Sequence, residues 1–131
     1  MKKNIAFLSL VFSLFFIQNQ QAQSIFEKWP ELDDFHKVMQ ETYHPSEEGD
    51  LDPIKGRIDE MVLKAHTLKN NSVPDEFNTP EIVAAEENLY KGSLELQKLI
   101  EQDSDDEAIT ASLESLHDVF HDIVGLCKDK E

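Results

Sequence analysis

The chain predicts an all-α fold, an antiparallel up-down-up-down four-helix bundle, and three observations carry that expectation. Apolar residues recur at helical spacing after the first two dozen positions, and no stretch of useful length alternates as a strand does. Proline, glycine, asparagine and aspartate fall at intervals that divide the pattern into segments of about 17 to 25 residues. Connections of roughly 2 to 10 residues then place sequential helices side by side.

The first 22 residues read as a targeting segment. Lys2 and Lys3 give a positive start, Ile5 to Ile17 an apolar run, and Gln18 to Ala22 a polar exit ending in a small residue. At about thirteen residues the run is too short to span a bilayer, and its layout is that of a secretory signal peptide. No cysteine directly follows it, so no lipid anchor is expected, and residues 23–131 are expected to form one exported, periplasmic domain.

The first helix carries Ile25, Trp29, Leu32, His36, Met39 and Tyr43 at a 4-3-4-3-4 spacing. Ser24 with Glu27 has capping-box spacing, while Pro30 suits a first-turn position, so this helix either kinks or begins there. It is expected to stop at His44, because proline disfavours helical backbone in the residue before it. Asp52 as cap and Pro53 as first-turn residue announce the second helix, whose seam reads Leu51, Ile54, Ile58, Met61, Ala65, Leu68. A loop from Asn70 to Asn78 leads to Thr79 as cap and Pro80 behind it. The third seam follows as Ile82, Glu86, Leu89, Ser93, Leu96, Ile100. Ser104 with Glu107 has capping-box spacing for the last helix, whose seam is Ile109, Leu113, Leu116, Phe120, Ile123, Cys127, widened by His117 and Val124.

The formal net charge is −15, and −17 without Lys2 and Lys3, since every acid lies downstream of them. Such a surface repels nucleic acid and anionic lipid, and it favours cations or a basic protein partner. The single cysteine, Cys127, cannot form an internal disulfide and continues an apolar stripe, so it is expected to be buried. No nucleophile–base pair, glycine-rich phosphate loop or basic–aromatic patch is present, and a non-catalytic protein is expected.

Three of the five histidines, His36, His117 and His121, fall on or beside the seams of the first and last helices. Helix seams normally hold leucine and isoleucine, so ligandable groups at one level need a reason. His117 and His121 stand at i and i+4, where both imidazoles leave one helical face and can chelate one ion. Glu114 with His117 gives Glu-x-x-His, Asp33 with His36 gives Asp-x-x-His, and Glu60 or Glu86 offers a carboxylate from another helix. Matching helix ends places residue 36 near residues 117 and 61, with Glu86 about one turn away.

The metal ligands expected are therefore His36, His117 and His121, with Glu114 or Glu86 as a fourth. Imidazole suits zinc, copper, iron or nickel alike. The competing structural reading has His36 bonded to Glu86 or Glu114 in a polar layer, with His117 and His121 reaching out at the seam edge. His44 with Glu47, Glu48 and Asp50 is read as a solvated loop rather than a calcium site, His66 as exposed, and Met39 and Met61 as core filling.

The stretch from Ala108 to Val124, with its aromatic–His pair Phe120-His121, resembles the end of the last helix of cytochrome b562, and more distantly the cytochrome c′ group. Thr79-Pro80-Glu81-Ile82 is similar to the Ser-Pro-Glu-Met opening of that family's third helix. The resemblance covers about 75 residues and implies a periplasmic bundle with His121 at the position of the axial haem ligand. The family's second ligand, a methionine, would fall near Trp29, where this chain has none. With no Cys-x-x-Cys-His, any haem would be non-covalent haem b in an electron carrier. Three functions are thus open: a metal-binding bundle, a haem b electron carrier, and a cofactor-free acidic interaction protein.

Overall fold

A computed structural model describes residues 25–129, so the expected signal peptide lies outside the described residues. They contain four long helices and no strand: α1 (Pro30–Glu47), α2 (Asp52–Asn70), α3 (Pro80–Glu101) and α4 (Asp106–Lys128). Residues 25–28 add a leading helical turn, and Asp75–Phe77 a single 3-10 turn between α2 and α3. Among the described residues no helix is long and apolar enough to cross a membrane.

Three of the helices carry proline at their first or second position, in the first turn where no donor is needed and proline's fixed φ is favoured. Trp29 breaks the leading turn from α1 with non-helical backbone (φ −130°, ψ 80°), so the chain begins a new helix at Pro30. Thr79 caps α3 as its sequence predicts, Oγ1 accepting from Ile82 N at 3.3 Å. Two expected caps move by a residue or two. Asp52 is itself the first helical residue of α2, and Asp50 Oδ1 accepts its N–H at 3.1 Å. Asp105, not Ser104, caps α4, taking Ala108 N at 2.8 Å.

The larger correction is at Pro45. Helix α1 does not stop at His44 but runs through Pro45 to Glu47. Proline removes one donor, and here the loss falls in the last turn, where closure is supplied from beyond. Gly49 N donates to Ser46 O at 3.0 Å and Asp50 N to Pro45 O at 3.0 Å, a Schellman arrangement with Gly49 at φ +85°. The extra turn carries His44 on helical backbone instead of in a loop.

Helix α1 packs on α2, α2 on α3, α3 on α4, and α1 also meets α4. Each sends its apolar stripe into one core, with Leu32 and Phe35 from α1, Ile54 and Met61 from α2, Leu89 and Leu96 from α3, and Leu113 and Ile123 from α4. Met39, Met61 and Cys127 are buried, as their seam positions predict. Phe77, in what reads as a polar loop, is fully buried and stacks on Trp29 with centroids 6.1 Å apart. The buried face of α1 is turned relative to the expected seam. Phe35, Val38, Thr42 and Ser46 point inward, while His36 and Tyr43 are left half-buried at its edge.

Candidate functional site

That rotation puts His36 and Tyr43 on the flank of α1 that meets α4. His36 is clamped between two phenyl rings, Phe26 of the leading turn at 4.6 Å and 4° and Phe120 of α4 at 5.2 Å and 7°. About two helical turns along α1, Tyr43 stacks on His117 at 3.8 Å and 9°. The expected level of residue 36 opposite 117 is thus off by about one turn, because 36 meets 120 and it is 43 that meets 117. His117 and His121 come together as their i, i+4 spacing predicts, with Nε2 atoms 3.0 Å apart. One of these nitrogens must donate and the other accept, so the two neutral rings take opposite tautomers.

Between α1 and α4 lies a cleft of about 300 Å³, lined by His36, Met39, Gln40, Tyr43, His44, His117, Phe120 and His121. Four of the five histidines share this space. Their proximity shows in the electrostatics as well. Burial holds the His36 imidazole below its ordinary pKa, Asp33 opposes, and His121, His44 and Lys37 lower it further. Burial likewise lowers His117, with His121 and His44 acting in the same direction against Asp118 and Glu47. Neutral imidazole is the form that offers a lone pair.

The expected carboxylates do not converge here. Glu86 is 3 % exposed in α3, is not among the cleft's lining residues, and has one carboxyl oxygen with no hydrogen-bond partner. Burial alone raises its pKa to about 7. Glu60 is paired with Arg57 at 2.8 Å on α2. Glu114 is exposed, close enough to Tyr43 to help Glu47 and Asp118 raise the phenol's pKa after burial has done so. Among the described residues, no three His, Cys, Asp or Glu side chains stand close enough together to hold one ion. What the fold assembles is a two-nitrogen pair with further imidazoles around it.

Sequence reasoning missed His44, Tyr43 and Met39 as cleft residues and Phe26 as its cover. His44 was findable: His36, Gln40 and His44 recur at i, i+4 and i+8, one flank of a helix once Pro45 is allowed inside it. Phe26 offered no local signal, since its partner His36 belongs to the next helix. His66 is exposed, as expected, and meets Tyr90 edge-on with ring centroids 5.5 Å apart. Trp29, where the cytochrome resemblance implies a second axial ligand, is fully buried against Phe77. Comparison with family models, with curated proteins and with solved structures returned no match.

Proposed function

We propose that this chain is a small exported, periplasmic protein of the cytochrome b562/c′ type, a four-helix bundle that binds one transition-metal ion in the α1–α4 cleft without catalysing a reaction. The observation that carries the proposal is the His117–His121 pair. Two nitrogens about 2.05 Å from one ion, seen from it at roughly 90° to 110°, are themselves about 2.9 to 3.4 Å apart. The two Nε2 atoms stand at 3.0 Å in a cleft that His36 and His44 also line. The spacing already suits a chelate, and loss of the shared proton with rotation of the two rings, now at 86° to each other, would turn both lone pairs to one ion. Neither Glu114 nor Glu86 is among the residues that line the cleft, so further ligands in this reading come from its other side chains.

The antiparallel up-down-up-down arrangement is part of the same proposal and has its own support. Links between neighbouring helices run in opposite directions along the chain. Asp34 pairs with Lys64 and Glu41 with Arg57, while Asp59 bonds Gln97 and Lys69 pairs with Glu87. The ring contacts pair 36 with 120 and 43 with 117 in the same sense.

Elemental analysis and a visible spectrum of protein recovered from its native export route test the function. One equivalent of transition metal and no intense band near ~400 nm is the expected result. Such a band would replace this reading with a haem b electron carrier that uses His121. Neither metal nor haem would leave a cofactor-free acidic protein meeting a basic partner.

A further inference from the structure

We infer that the ion taken by this cleft is copper, held in its reduced form by the Met39 thioether together with the imidazoles; this rests on the metal-binding reading of the same site. The argument is the donor set. The lining supplies four imidazoles, one thioether, a phenol and an amide, and no carboxylate or thiolate. Zinc, nickel and ferrous iron gain little from a thioether, whereas Cu(I) is soft and prefers it, and imidazole serves both copper oxidation states. Hard cations find no anionic ligand among the lining side chains, and Glu47, a carboxylate in contact with one lining residue, is already bonded to His44 Nδ1 at 3.2 Å.

Met39 is also placed unlike an ordinary core methionine. It is 1 % exposed, yet its side chain lines the cleft on the same flank as His36 and Tyr43. Met61 is equally buried but is not among the lining residues. A purely space-filling methionine is replaceable by leucine at either place, because the two side chains have nearly the same volume. Of the two, only Met39 belongs to the lining of the cleft that holds the histidines.

The test compares Met39→Leu, Met61→Leu and His117→Gln with the wild type. Cu(I) affinity is measured anaerobically against a chromophoric Cu(I) chelator, and Zn(II) affinity by titration calorimetry. Met39→Leu is expected to weaken Cu(I) by at least about tenfold while leaving Zn(II) within about threefold. Met61→Leu should change neither, and His117→Gln should weaken both. Undiminished Cu(I) binding in Met39→Leu, with loss in His117→Gln, overturns the copper inference and leaves a metal site standing. Tighter binding of Zn(II) than of Cu(I) by the wild type overturns it equally. A wild-type protein that takes up neither ion removes the metal reading and this inference together.

Discussion

The α1–α4 cleft and the interior of α3 both place an ionisable group where a helix seam would ordinarily hold leucine, and they treat it in opposite ways. In the cleft, His36 and His117 are half-buried and their flat faces are covered by rings, Phe26 and Phe120 on one, Tyr43 on the other. Stacking satisfies the apolar faces of an imidazole and leaves its edge nitrogens open to a ligand. In α3, Glu86 is enclosed, with one oxygen unpartnered and no charged group among the causes of its raised pKa. A carboxyl in that position is held by keeping its proton. The first arrangement presents a base and the second conceals an acid, so their dependence on pH has opposite sign.

The largest effect expected is at Glu86. Its pKa rises from 4.5 to about 7 on folding. The folded state therefore holds the extra proton between those values, and stability falls as pH climbs through that window. Above it the cost of ionising Glu86 in the interior is on the order of 3 kcal/mol. Glu86→Gln, a neutral isostere of the protonated acid, should raise unfolding free energy by that order at pH 8 and change it little at pH 4. Urea unfolding at the two pH values measures this. An equal effect at both would mean that Glu86 finds a partner after all, and the contrast with the cleft would collapse.

A smaller effect of opposite slope belongs to the cleft. The folded-state pKa values of His36 and His117 lie below the ordinary 6.5. The unfolded chain binds the extra protons, so metal-free protein should lose stability as pH falls from about 6.5 toward the depressed values and level off beneath them. His36→Phe keeps a flat ring between Phe26 and Phe120 but removes one titration. Its unfolding midpoint should vary less between pH 7 and pH 5 than that of the wild type. An unchanged slope would place the acid sensitivity outside the cleft.

How far these two regions were legible in the sequence follows from where their determinants lie. Glu86 on the third seam and His117 with His121 on the fourth were visible because helical period alone places them. Helix boundaries were visible where the punctuation acts locally, as Thr79-Pro80 does. Pro45 misled because the cost of a proline depends on what closes the turn after it, and Gly49 and Asp50 do that from beyond the helix. The error removed His44 from the cleft. The rotation of α1 was hidden for a related reason. His36 and Tyr43 fit the expected seam as well as Phe35 and Val38 do, and only packing against three other helices decides which set turns inward. Phe26 and Phe77 lie outside any long amphipathic run, so their places were set wholly by tertiary contact.

The third way of keeping a polar atom on a seam gives the smallest expected effect and calibrates the other two. Thr42 and Ser93 are fully buried, and each hydroxyl donates to the carbonyl one turn back, Val38 O and Leu89 O, both at 2.8 Å. Those carbonyls lie inside α1 and α3, where each also accepts a backbone helical bond. Deleting the hydroxyl removes the group that needed satisfying and leaves the acceptor with its main partner. Ser93→Ala and Thr42→Val should therefore each shift unfolding free energy by less than about 1 kcal/mol, in either direction. The shift should be the same at pH 5 and pH 8, because nothing titrates. Helix propensity assists at position 93, where alanine replaces serine. Equilibrium unfolding of both variants at the two pH values measures the effect. A loss of several kcal/mol at Ser93 would show that its hydroxyl serves a partner other than Leu89, and buried neighbours on α3, Glu86 included, would then have to be reconsidered as one connected polar layer.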